Sequence, residues 1–358
     1  MKVAVIGYYG ENFGDLLMLS VLIERAKLSV NNFQIYTYGD SEDLRLFLNQ
    51  LSVGAMRVDV IGLKQAGLLG FLSNIRGAKF IAWGGGTCFM DEGGTGGIKY
   101  MVLAKFLRVP VFYIGVGIDA HKKYLTRMCI SMAMLFSRQA YFRDEESRKI
   151  ASSYFFGKRK ALFVPDLAFS MSQDLNSKNV SVFDGNPYIA ICPRELALYF
   201  GGDASEVNLQ LCELVRAIAG VIKTNRVVII AADLIEDSLS CYEIARMLGE
   251  QGFVTSSVEG CRVNETISLI AKASFLVSVR LHPAVVSHLC NTPYVLFGYS
   301  AKNAKYLNYV NSPQRLISFG DVDLNASWFE CPEECFSVEF SRTEVLRVLD
   351  SIFVCESD

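Results

Sequence analysis

The sequence predicts an α/β protein with two doubly wound domains, on the strength of three observations. Short apolar runs that read as strands alternate with helical stretches over almost all of the 358 residues. The runs are apolar throughout rather than alternating, as in parallel strands that helices cover on both faces. After residue 170 the chain becomes polar and rich in turn formers as far as Pro187, and the alternation then begins again.

These changes in residue composition along the chain give the predicted domain boundaries. The first domain spans residues 1–170, a linker spans 171–187, the second domain spans 188–340, and an amphipathic C-terminal helix spans 341–358. Ligands of open parallel sheets bind at the carboxyl ends of the strands. We therefore expect the two domains to face one another across a cleft that holds the functional site.

Each strand is predicted from an apolar run that ends at a glycine, a charge or a turn. In the first domain the runs are KVAVIG, FQIYTYG, VDVIG, KFIAWGGG, VPVFYIGVG, AYFRD and ALFVPD. In the second domain they are YIAICPR, RVVIIAAD, FVTSS, FLVSVRLH and PYVLFGY. Helical spacing marks stretches between them, among them LLMLSVLIERAKL, IKYMVLAKFLR and CYEIARMLGEQG.

Composition narrows the classes of function. The chain is 51% hydrophobic and 20% charged, which is too apolar for a disordered protein. A net charge of -2 argues against a nucleic-acid partner, since such proteins are usually basic. Ten scattered cysteines and three histidines form no metal-binding motif, so we expect no metal and no cofactor, and core thiols in a reducing compartment.

The predicted location is the cytoplasm. The amino terminus, MKVAVIGYYG, runs directly into a strand and shows no cleavage site for a leader. No apolar run approaches the ~18 to 20 residues that span a bilayer. We therefore expect a protein without a transmembrane segment, with peripheral membrane association and the oligomeric state left open.

Glycine-rich loops follow three predicted strands of the first domain. They are Gly7–Asp15, Trp83–Gly86 and Gly115–Gly117. Neither the GxGxxG nor the GK[ST] fingerprint of nucleotide binding is present. Three such loops at successive strand ends predict a ligand close to the backbone. The predicted contact residues are Gly10, Asn12, Gly14, Gly84, Gly85, Gly86, Gly115 and Gly117.

Polar and aromatic side chains in these loops allow more than one interpretation. Asp15 either caps the first helix or acts as an acid, base or hydroxyl acceptor. Trp83, Tyr8 and Tyr9 either stack on a sugar or belong to the core. His121 lies beside two lysines and is interpreted as part of a solvated loop.

The stretch SFLVSVRLHPAVVSHLC, from Ser274 to Cys290, places a guanidinium and an imidazole at the end of a predicted strand. Residues i and i+2 of a strand point to the same side, so we expect Arg280 and His282 to converge while Leu281 packs away. In the alternative interpretation, Arg280 pairs with a structural carboxylate and His282 caps the next helix. His288 is predicted to be a core or interface histidine.

The motifs together resemble the polysaccharide pyruvyltransferase family. They are GYYGENFGD, the GGG and GVGI loops, FRDEES, PD, the Arg of ICPRE and SVRLHPAVVSHLCNTPYVLFGYSAK, in this order from residue 1 to about 310. The resemblance implies two Rossmann-like domains similar to B-type glycosyltransferases. It also implies transfer of a pyruvyl group from phosphoenolpyruvate to a sugar of a polysaccharide or glycan precursor, with formation of a cyclic ketal.

The resemblance also implies the donor site. The family's Arg-Leu-His motif falls on Arg280, Leu281 and His282, and its upstream arginine falls on Arg194. Where many relatives have Tyr-Asp-Pro-Lys, this chain has Tyr299-Ser300-Ala301-Lys302, which keeps Lys302 as a donor-binding residue and loses a carboxylate. Pro165-Asp166-Leu167-Ala168 likewise replaces the commoner Asp-Pro-Ala order. The partners implied are phosphoenolpyruvate and a sugar or lipid-linked glycan acceptor.

The chemistry of phosphoenolpyruvate agrees with these residue types. The planar fork of arginine binds carboxylate or phosphate bidentately. Addition of an alcohol at C2 requires protonation of C3, and histidine titrates nearest neutral pH. Arg280, His282 and Asp15 are therefore the predicted catalytic residues, with Asp15 receiving the proton of the sugar hydroxyl.

Two other functions remain open. A nucleotide-sugar glycosyltransferase of the same architecture would need a carboxylate near the second-domain cleft for the ribose hydroxyls, and none lies between Arg280 and Cys290. A non-catalytic relative that binds glycans or anions is the second alternative, and the departure at Ser300 is the hint for it.

Overall fold

The computed structural model describes residues 1–51, 53–119, 121–171, 182–196, 204–259, 262–319, 324–332 and 336–354. The chain divides into two compact units. The first holds Met1–Gly10, Asp15–Met171 and the chain from Phe340, and the second holds Glu11–Gly14 and the described residues from 182 to 339. Most of the predicted linker, residues 172–181, lies outside the described residues.

The first unit is built on a parallel sheet with the strand order β3-β2-β1-β4-β7-β8-β9. Its strands are β1 (Lys2–Gly7), β2 (Asn32–Thr37), β3 (Arg57–Gly62), β4 (Ile81–Gly84), β7 (Val111–Ile118), β8 (Gln139–Phe142) and β9 (Ala161–Phe163). A short antiparallel pair, β5 (Thr87–Met90) and β6 (Gly94–Thr95), attaches to β7 through β5. The sequence analysis did not predict this pair, because β5 has four residues and β6 two, and both lie within a glycine-rich segment.

Helices of the first unit connect these strands. They are α1 (Phe13–Ala26), α2 (Ser41–Leu48), α3 (Leu63–Ile75), α4 (Ile98–Phe106), α5 (Tyr124–Phe136), α6 (Glu145–Ser152) and α7 (Gly157–Lys160). Ala4 and Ile6 share one core cluster with α3, α4 and α5, whereas Val3 and Val5 are equally buried and alternate to the other face of the sheet. Both faces are therefore covered, as the continuous apolar runs predict.

The C-terminal helix completes the first unit. It spans Phe336–Phe353, so it begins before the predicted residue 341. Its last residue, Phe353, packs on Phe33 of β2 and Phe80 beside β4, with ring centroids 6.5 and 5.3 Å apart. Aromatic contacts thus attach the end of the described chain to the first sheet.

The second unit repeats the design with the strand order β12-β11-β10-β13-β14-β15. Its strands are β10 (Ile189–Cys192), β11 (Arg226–Ala231), β12 (Val254–Glu259), β13 (Phe275–Ser278), β14 (Tyr294–Phe297) and β15 (Leu316–Ile317). Its helices, numbered on from α7, are α8 (Ala204–Ile222), α9 (Leu234–Glu250), α10 (Val263–Lys272), α11 (Leu281–Leu289) and α12 (Ala301–Tyr309), which makes the C-terminal helix α13. All strand pairs of this sheet are parallel.

Each sheet has one point where the order of the strands reverses. In the first unit it lies between β1 and β4, and in the second it lies between β10 and β13. The helices that follow these neighbouring strands diverge, which leaves a crevice at the carboxyl edge where ligands of doubly wound sheets bind. The fold class predicted from the sequence is confirmed, and the crevices show where functional side chains are expected.

The described cysteines agree in part with the core prediction. Cys88, Cys129, Cys192, Cys212 and Cys241 are buried and free, whereas Cys290 is half-buried and Cys331 is exposed. No group of His, Cys, Asp and Glu among the described residues is arranged to hold a metal ion. Within the same residues, no helix has both the length and the apolar character needed to cross a bilayer.

His288 is a core histidine of α11, as predicted. Its side chain is buried, and its Nδ1 lies 3.0 Å from the hydroxyl of Tyr294. Burial, and after it the charge of Arg315, lowers the pKa of His288 from 6.5 to about 4. The folded protein therefore keeps this imidazole neutral at pH values where the unfolded chain binds a proton.

This difference predicts a pH-dependent free energy of unfolding. The stability from His288 is present above pH 6.5 and is lost as the pH falls towards 4, by up to roughly 3 kcal/mol. We expect His288→Gln to flatten the dependence of stability on pH in this window, as measured by urea unfolding. His121→Gln, in an exposed loop, is the matched control and should leave the slope intact. An unchanged slope in His288→Gln would assign the dependence to another group.

Candidate functional site

Four adjacent strands of the second sheet each place a polar or charged side chain two residues beyond their last residue. Strands β11, β10, β13 and β14 end at Ala231, Cys192, Ser278 and Phe297. In sheet order, the side chains that follow them are Asp233, Arg194, Arg280 and Tyr299. The two arginines follow β10 and β13 and so flank the reversal point of the sheet. The sequence predicted both arginines and gave their neighbours no role.

Arg280 forms a buried ion pair. Its Nε donates to Oδ2 of Asp237 at 3.0 Å and its Nη2 donates to Oδ1 at 2.5 Å, so the carboxylate is bound bidentately. The side chain of Asp237 is fully buried, and that of Arg280 is 10% exposed. Burial alone would lower the pKa of Arg280, but Asp237, Asp233 and Glu236 outweigh it and raise this pKa. The alternative interpretation, in which Arg280 pairs with a carboxylate, is confirmed in this respect.

Glu236 connects the two arginines. Its Oε2 accepts from Nη2 of Arg280 at 2.9 Å and from Nη2 of Arg194 at 3.2 Å. The Glu236 side chain is 52% exposed, in contrast with both arginines. One carboxylate oxygen at the reversal point is therefore held by two guanidinium groups, and it belongs to a half-exposed side chain of the protein itself.

Tyr299 lies inside the same cluster of cations. Nη1 of Arg194 donates to its hydroxyl at 2.6 Å, and Nζ of Lys302 lies 5.7 Å from the centre of its ring. Burial raises the pKa of Tyr299, but Lys302, Arg194 and Arg280 outweigh burial and bring the net pKa below its ordinary value. The phenol is thus able to exchange a proton more readily than an isolated tyrosine.

The backbone at Arg280 corrects the expected strand. Strand β13 ends at Ser278, Arg280 is the N-cap of α11, and His282 lies in the first turn of the helix. Arg280 and His282 are therefore not two residues of one strand, and the prediction based on alternation is wrong. The interpretation of His282 as the cap is wrong as well. The reason is local: the hydroxyl of Ser278 donates to the carbonyl of Arg280 at 2.6 Å, which turns the chain out of the sheet.

His282 packs against Gly14, which belongs to the second unit by its contacts. A Cβ atom at Gly14 would lie 2.1 Å from Nδ1 of His282, so only glycine leaves room for the ring. Asn12 holds this segment in place, since its side chain accepts from the amide of Gly14 and donates to Oδ2 of Asp233. The structure therefore brings Asn12 and Gly14 together with His282, next to Arg280.

The first unit arranges Asp15 in a similar way. Asn12 is the residue whose side chain caps α1, and Asp15 lies in the first turn of that helix, so the capping interpretation of Asp15 is wrong. A Cβ atom at Gly86 would lie 2.8 Å from Oδ1 of Asp15. Gly86 has a φ of 76° and follows β4, so Asp15 lies at the reversal point of the first sheet.

The other predicted glycines are also packed against the protein's own atoms. A Cβ atom would meet the backbone of Asp40 at Gly10, Leu22 and Tyr9 at Gly84, Met18 at Gly85, Leu167 at Gly115 and Arg143 at Gly117. These contacts account for glycine at each position by internal packing. The approach of a ligand to the loops stays a prediction.

The three aromatic residues of the loops separate into two groups. Tyr9 and Trp83 are buried, and their polar atoms donate to the carbonyls of Gly84 and Gly85, so both belong to the core. Tyr8 is half-exposed and stacks on Tyr38 with ring centroids 4.9 Å apart. Of the three, only Tyr8 has a face available to a sugar. His121 lies in the loop after β7, as predicted.

Sequence reasoning missed a second charged cluster, at the carboxyl edge of β8 and β9. Nη1 of Arg143 pairs with Oδ2 of Asp166 at 3.2 Å, and its Nη2 donates to Oγ1 of Thr87 at 2.8 Å. The motifs FRDEES and PD, quoted above for the family resemblance, thus meet in one ion pair. Their shared position after strands was the signal that they lie together.

The carboxylates of the second unit were also missed. Asp233, Glu236 and Asp237 follow the apolar strand β11 within six residues, and this was the available signal. Two arginines placed at a sheet edge require partners, and only the strand order shows that β11 lies next to β10. Lys302 lies in the first turn of α12, as required of a residue at this edge, and Leu281 begins α11 half-buried.

Fold and site together define an α/β protein with two parallel, doubly wound sheets, similar to the B-type glycosyltransferases. The chain belongs to the polysaccharide pyruvyl transferase family, whose sequence pattern matches residues 12–301. This confirms the resemblance found from the motifs, and the family indicates a transferase that acts on polysaccharide. No curated protein matches the sequence.

Solved structures of other proteins have the same fold. UDP-GlcNAc 2-epimerase from Methanocaldococcus jannaschii is 10% identical, with a TM-score of 0.68 and coverage of 99% of this chain and 100% of that one. Anabaena Alr3699/HepE, solved in complex with UDP and glucose, is 16% identical, with a TM-score of 0.56 and coverage of 99% and 95%. E. coli ADP-heptose lps heptosyltransferase II is 14% identical, with a TM-score of 0.50 and coverage of 99% of both chains. At these identities the similarity shows the fold alone.

The ion pair between Arg280 and Asp237 predicts a characteristic pattern of stability. Arg280→Met leaves a fully buried carboxylate without its partner, which we expect to cost roughly 3–5 kcal/mol of unfolding free energy. Asp237→Leu should cost a similar amount, and the double variant should recover a large part of the loss. Urea unfolding of the four proteins measures the coupling. Additive losses would show that the two side chains do not depend on one another.

Proposed function

We propose that the protein transfers a pyruvyl group from phosphoenolpyruvate to a sugar of a polysaccharide or glycan precursor and forms a pyruvate ketal. The observation that carries this proposal is the half-exposed Glu236 carboxylate between Arg194 and Arg280 at the reversal point of the second sheet. Membership of the polysaccharide pyruvyl transferase family supports the same reaction.

Phosphoenolpyruvate binds by taking the place of the Glu236 carboxylate on the two arginines. Asp237 is fully buried and stays on Arg280, so it fixes the orientation of that guanidinium. Glu236 is accessible, and a carboxylate or phosphate of phosphoenolpyruvate that takes its place binds both arginines at once. The first turns of α11 and α12 lie at this edge and direct backbone amides towards an anion. Lys302 adds a further positive charge to the cluster.

The chemical steps require one proton donor near the anion. A sugar hydroxyl adds to C2 while C3 accepts a proton, which gives a phosphorylated hemiketal. The C2–O bond to phosphate then breaks, phosphate leaves with the bonding electron pair, and a second hydroxyl closes the ketal at C2 as its proton passes to the departing phosphate. We assign the proton to His282, which Gly14 holds beside the donor site, and Tyr299 is the next candidate because of its lowered pKa. Asp15 stays the predicted acceptor of the hydroxyl proton.

A specific observation favours one rival function. A nucleotide-sugar transferase needs a carboxylate for the ribose hydroxyls, and Glu236 supplies one from the first turn of α9, outside the segment in which the sequence offered none. The Anabaena structure was solved in complex with UDP and glucose. A nucleoside diphosphate sugar is therefore the second candidate donor for this chain.

Calorimetry with each donor distinguishes the two proposals. We expect phosphoenolpyruvate to bind, and UDP-glucose and UDP-N-acetylglucosamine not to bind, because Arg194 and Arg280 together hold one small anionic group, of the size of a carboxylate or phosphate of the donor. Arg194→Met should weaken phosphoenolpyruvate binding by roughly tenfold or more, as for the loss of a hydrogen bond to a charged group. Arg246→Met, on the exposed side of α9, is the matched control. Tight binding of UDP together with none of phosphoenolpyruvate would favour the rival function.

Displacement of the imidazole tests the role of His282. His282→Gln should lower phosphate release from phosphoenolpyruvate with a mixed pool of acceptors by roughly two to four orders of magnitude, the usual contribution of a general acid. Gly14→Ala should lower the rate as well, since its methyl group moves the ring. Gly249→Ala in α9, where no atom lies within 4 Å of the added methyl, is the control and should keep the wild-type rate.

Two results would contradict this assignment. Full turnover in Gly14→Ala, with a melting temperature like that of the wild type, would separate catalysis from the position of His282. Absence of phosphate release from the wild-type protein with every acceptor would favour the non-catalytic alternative.

A further inference from the structure

An exposed surface of aromatic and basic side chains lies on the first unit, away from the glycine loops. We define this aromatic–basic patch as Lys105, Phe106, Phe155, Phe156, Lys158 and Arg159, all of which are exposed. Phe106 and Phe155 expose 74% and 78% of their surface, which is unusual for phenylalanine. The patch adjoins the last turns of α4 and α5 and the segment that enters β9. It therefore lies at the amino edge of the parallel sheet.

Lys160 connects the part of the patch at the end of α4, Lys105 and Phe106, with the part formed by residues 155–159. Its Nζ donates to the carbonyls of Leu135 and Ser137, at 2.8 and 2.7 Å, and lies 5.5 Å from the ring centre of Phe156. Burial, and after it the charge of Lys105, lowers the pKa of Lys160, so these two lysines are neighbours. Phe106, next to Lys105, packs on Phe136 of α5 with ring centroids 6.3 Å apart. The aromatic rings and the positive charges thus form a continuous face.

The backbone of Phe156 is strained, although the side chains of Phe155 and Phe156 are exposed. Phe156 has a φ of 66°, in the left-handed region that disfavours residues with a bulky side chain. Its ring meets that of Phe155 edge to face at 4.3 Å, yet both rings stay exposed, so core burial does not offset the strain. Strained residues of this kind are found where a segment has a function other than packing.

The charge around the patch has one sign. The ends of α4 and α5 and the segment that enters β9, residues 104–110, 134–138 and 153–163, contain six Lys and Arg and no Asp or Glu. The whole chain has 35 basic and 37 acidic residues, so the concentration is local. Exposed basic residues also precede several strands of this edge, namely Lys79, Arg108 and Arg138. A surface of this composition is complementary to a partner that is anionic and apolar at its boundary.

We propose that the aromatic–basic patch docks the protein on an anionic membrane surface. The rings of Phe106, Phe155 and Phe156 enter the boundary between headgroups and acyl chains, as exposed aromatic side chains do at membrane interfaces. The basic side chains contact lipid phosphates, and this attraction falls with ionic strength. The carboxyl edge of the same sheet, with Asp15 and Gly86, then faces away from the lipid. This interaction is independent of the reaction proposed above.

Vesicle sedimentation tests the proposal with the full chain. We expect the wild-type protein to sediment with vesicles of phosphatidylcholine and phosphatidylglycerol in equal amounts, and not with phosphatidylcholine alone. High salt should release it. The pair Lys158→Glu and Arg159→Glu, and separately the pair Phe155→Ser and Phe156→Gly, should each lower vesicle affinity by at least roughly tenfold. Glycine relieves the backbone at residue 156, so the second pair removes the rings without a penalty in folding.

Matched controls lie on α9 of the second unit. Tyr242→Ser removes an exposed aromatic ring and Arg246→Glu reverses an exposed charge, and both should bind vesicles like the wild type. Melting temperatures confirm that every variant is folded, and calorimetry with phosphoenolpyruvate reports on the donor site separately. Equal binding to both kinds of vesicle, or none to either, would overturn the proposal. So would patch variants that change the oligomeric state in solution and leave vesicle binding unaltered, since the patch would then be an interface between protein chains.

Discussion

The ion pair between Arg280 and Asp237 fixes the geometry of the second unit at its carboxyl edge. It joins the residues that follow β13 to those that follow β11, across the end of β10. From Asp237 the connection continues, since its Oδ2 accepts from the amide of Asp233, and Asp233 caps α9. Asp233 in turn accepts from Asn12, which positions Gly14 beneath the ring of His282. This series of contacts begins at Arg280 and ends at His282, which lies two residues further along the chain in α11. Removal of Arg280 or Asp237 leaves a buried charge without its partner, which is costly inside a protein.

The fold could be predicted from the sequence because the same pattern, an apolar run followed by a helical stretch, recurs along the chain. The inner strands of the two parallel sheets coincide with apolar runs, and burial on both faces explains why these runs show no alternation, whereas the edge strands β3 and β12 are partly exposed. Errors occurred where short-range contacts decide the structure. The hydroxyl of Ser278 ends β13 before Arg280, and no apolar pattern reports a side chain that bonds to its own backbone. The β5–β6 pair was missed because four and two residues are too few to show a periodic pattern.

The candidate site was accessible in part. Arg194, Arg280 and His282 were identifiable as unusual side chains after apolar strands, and family motifs pointed to the same positions. Their partners were not, because Asp237 and Glu236 are remote in sequence and adjacent only through the strand order. The glycines were singled out because a ligand was expected close to the backbone. In the structure they make room for side chains of the protein itself: His282 at Gly14, Asp15 at Gly86 and Arg143 at Gly117. A sequence shows that a position tolerates no side chain, and only coordinates show which neighbour fills the space.

The uniform spacing after the strands has a consequence for how such a site diversifies. Asp233, Arg194, Arg280 and Tyr299 each occupy the second position beyond a different strand, so each is anchored by its own backbone segment. A substitution at Arg194 or Tyr299 changes the lining at one strand end, whereas Asp233 and Arg280 also hold the contacts that connect β11, β13 and Asn12. The sheet sets the position of each side chain, and the residue that follows each strand sets its chemistry. Proteins that share barely a tenth of their residues with this chain keep the scaffold for the same reason: it prescribes where a functional group stands and leaves its identity open.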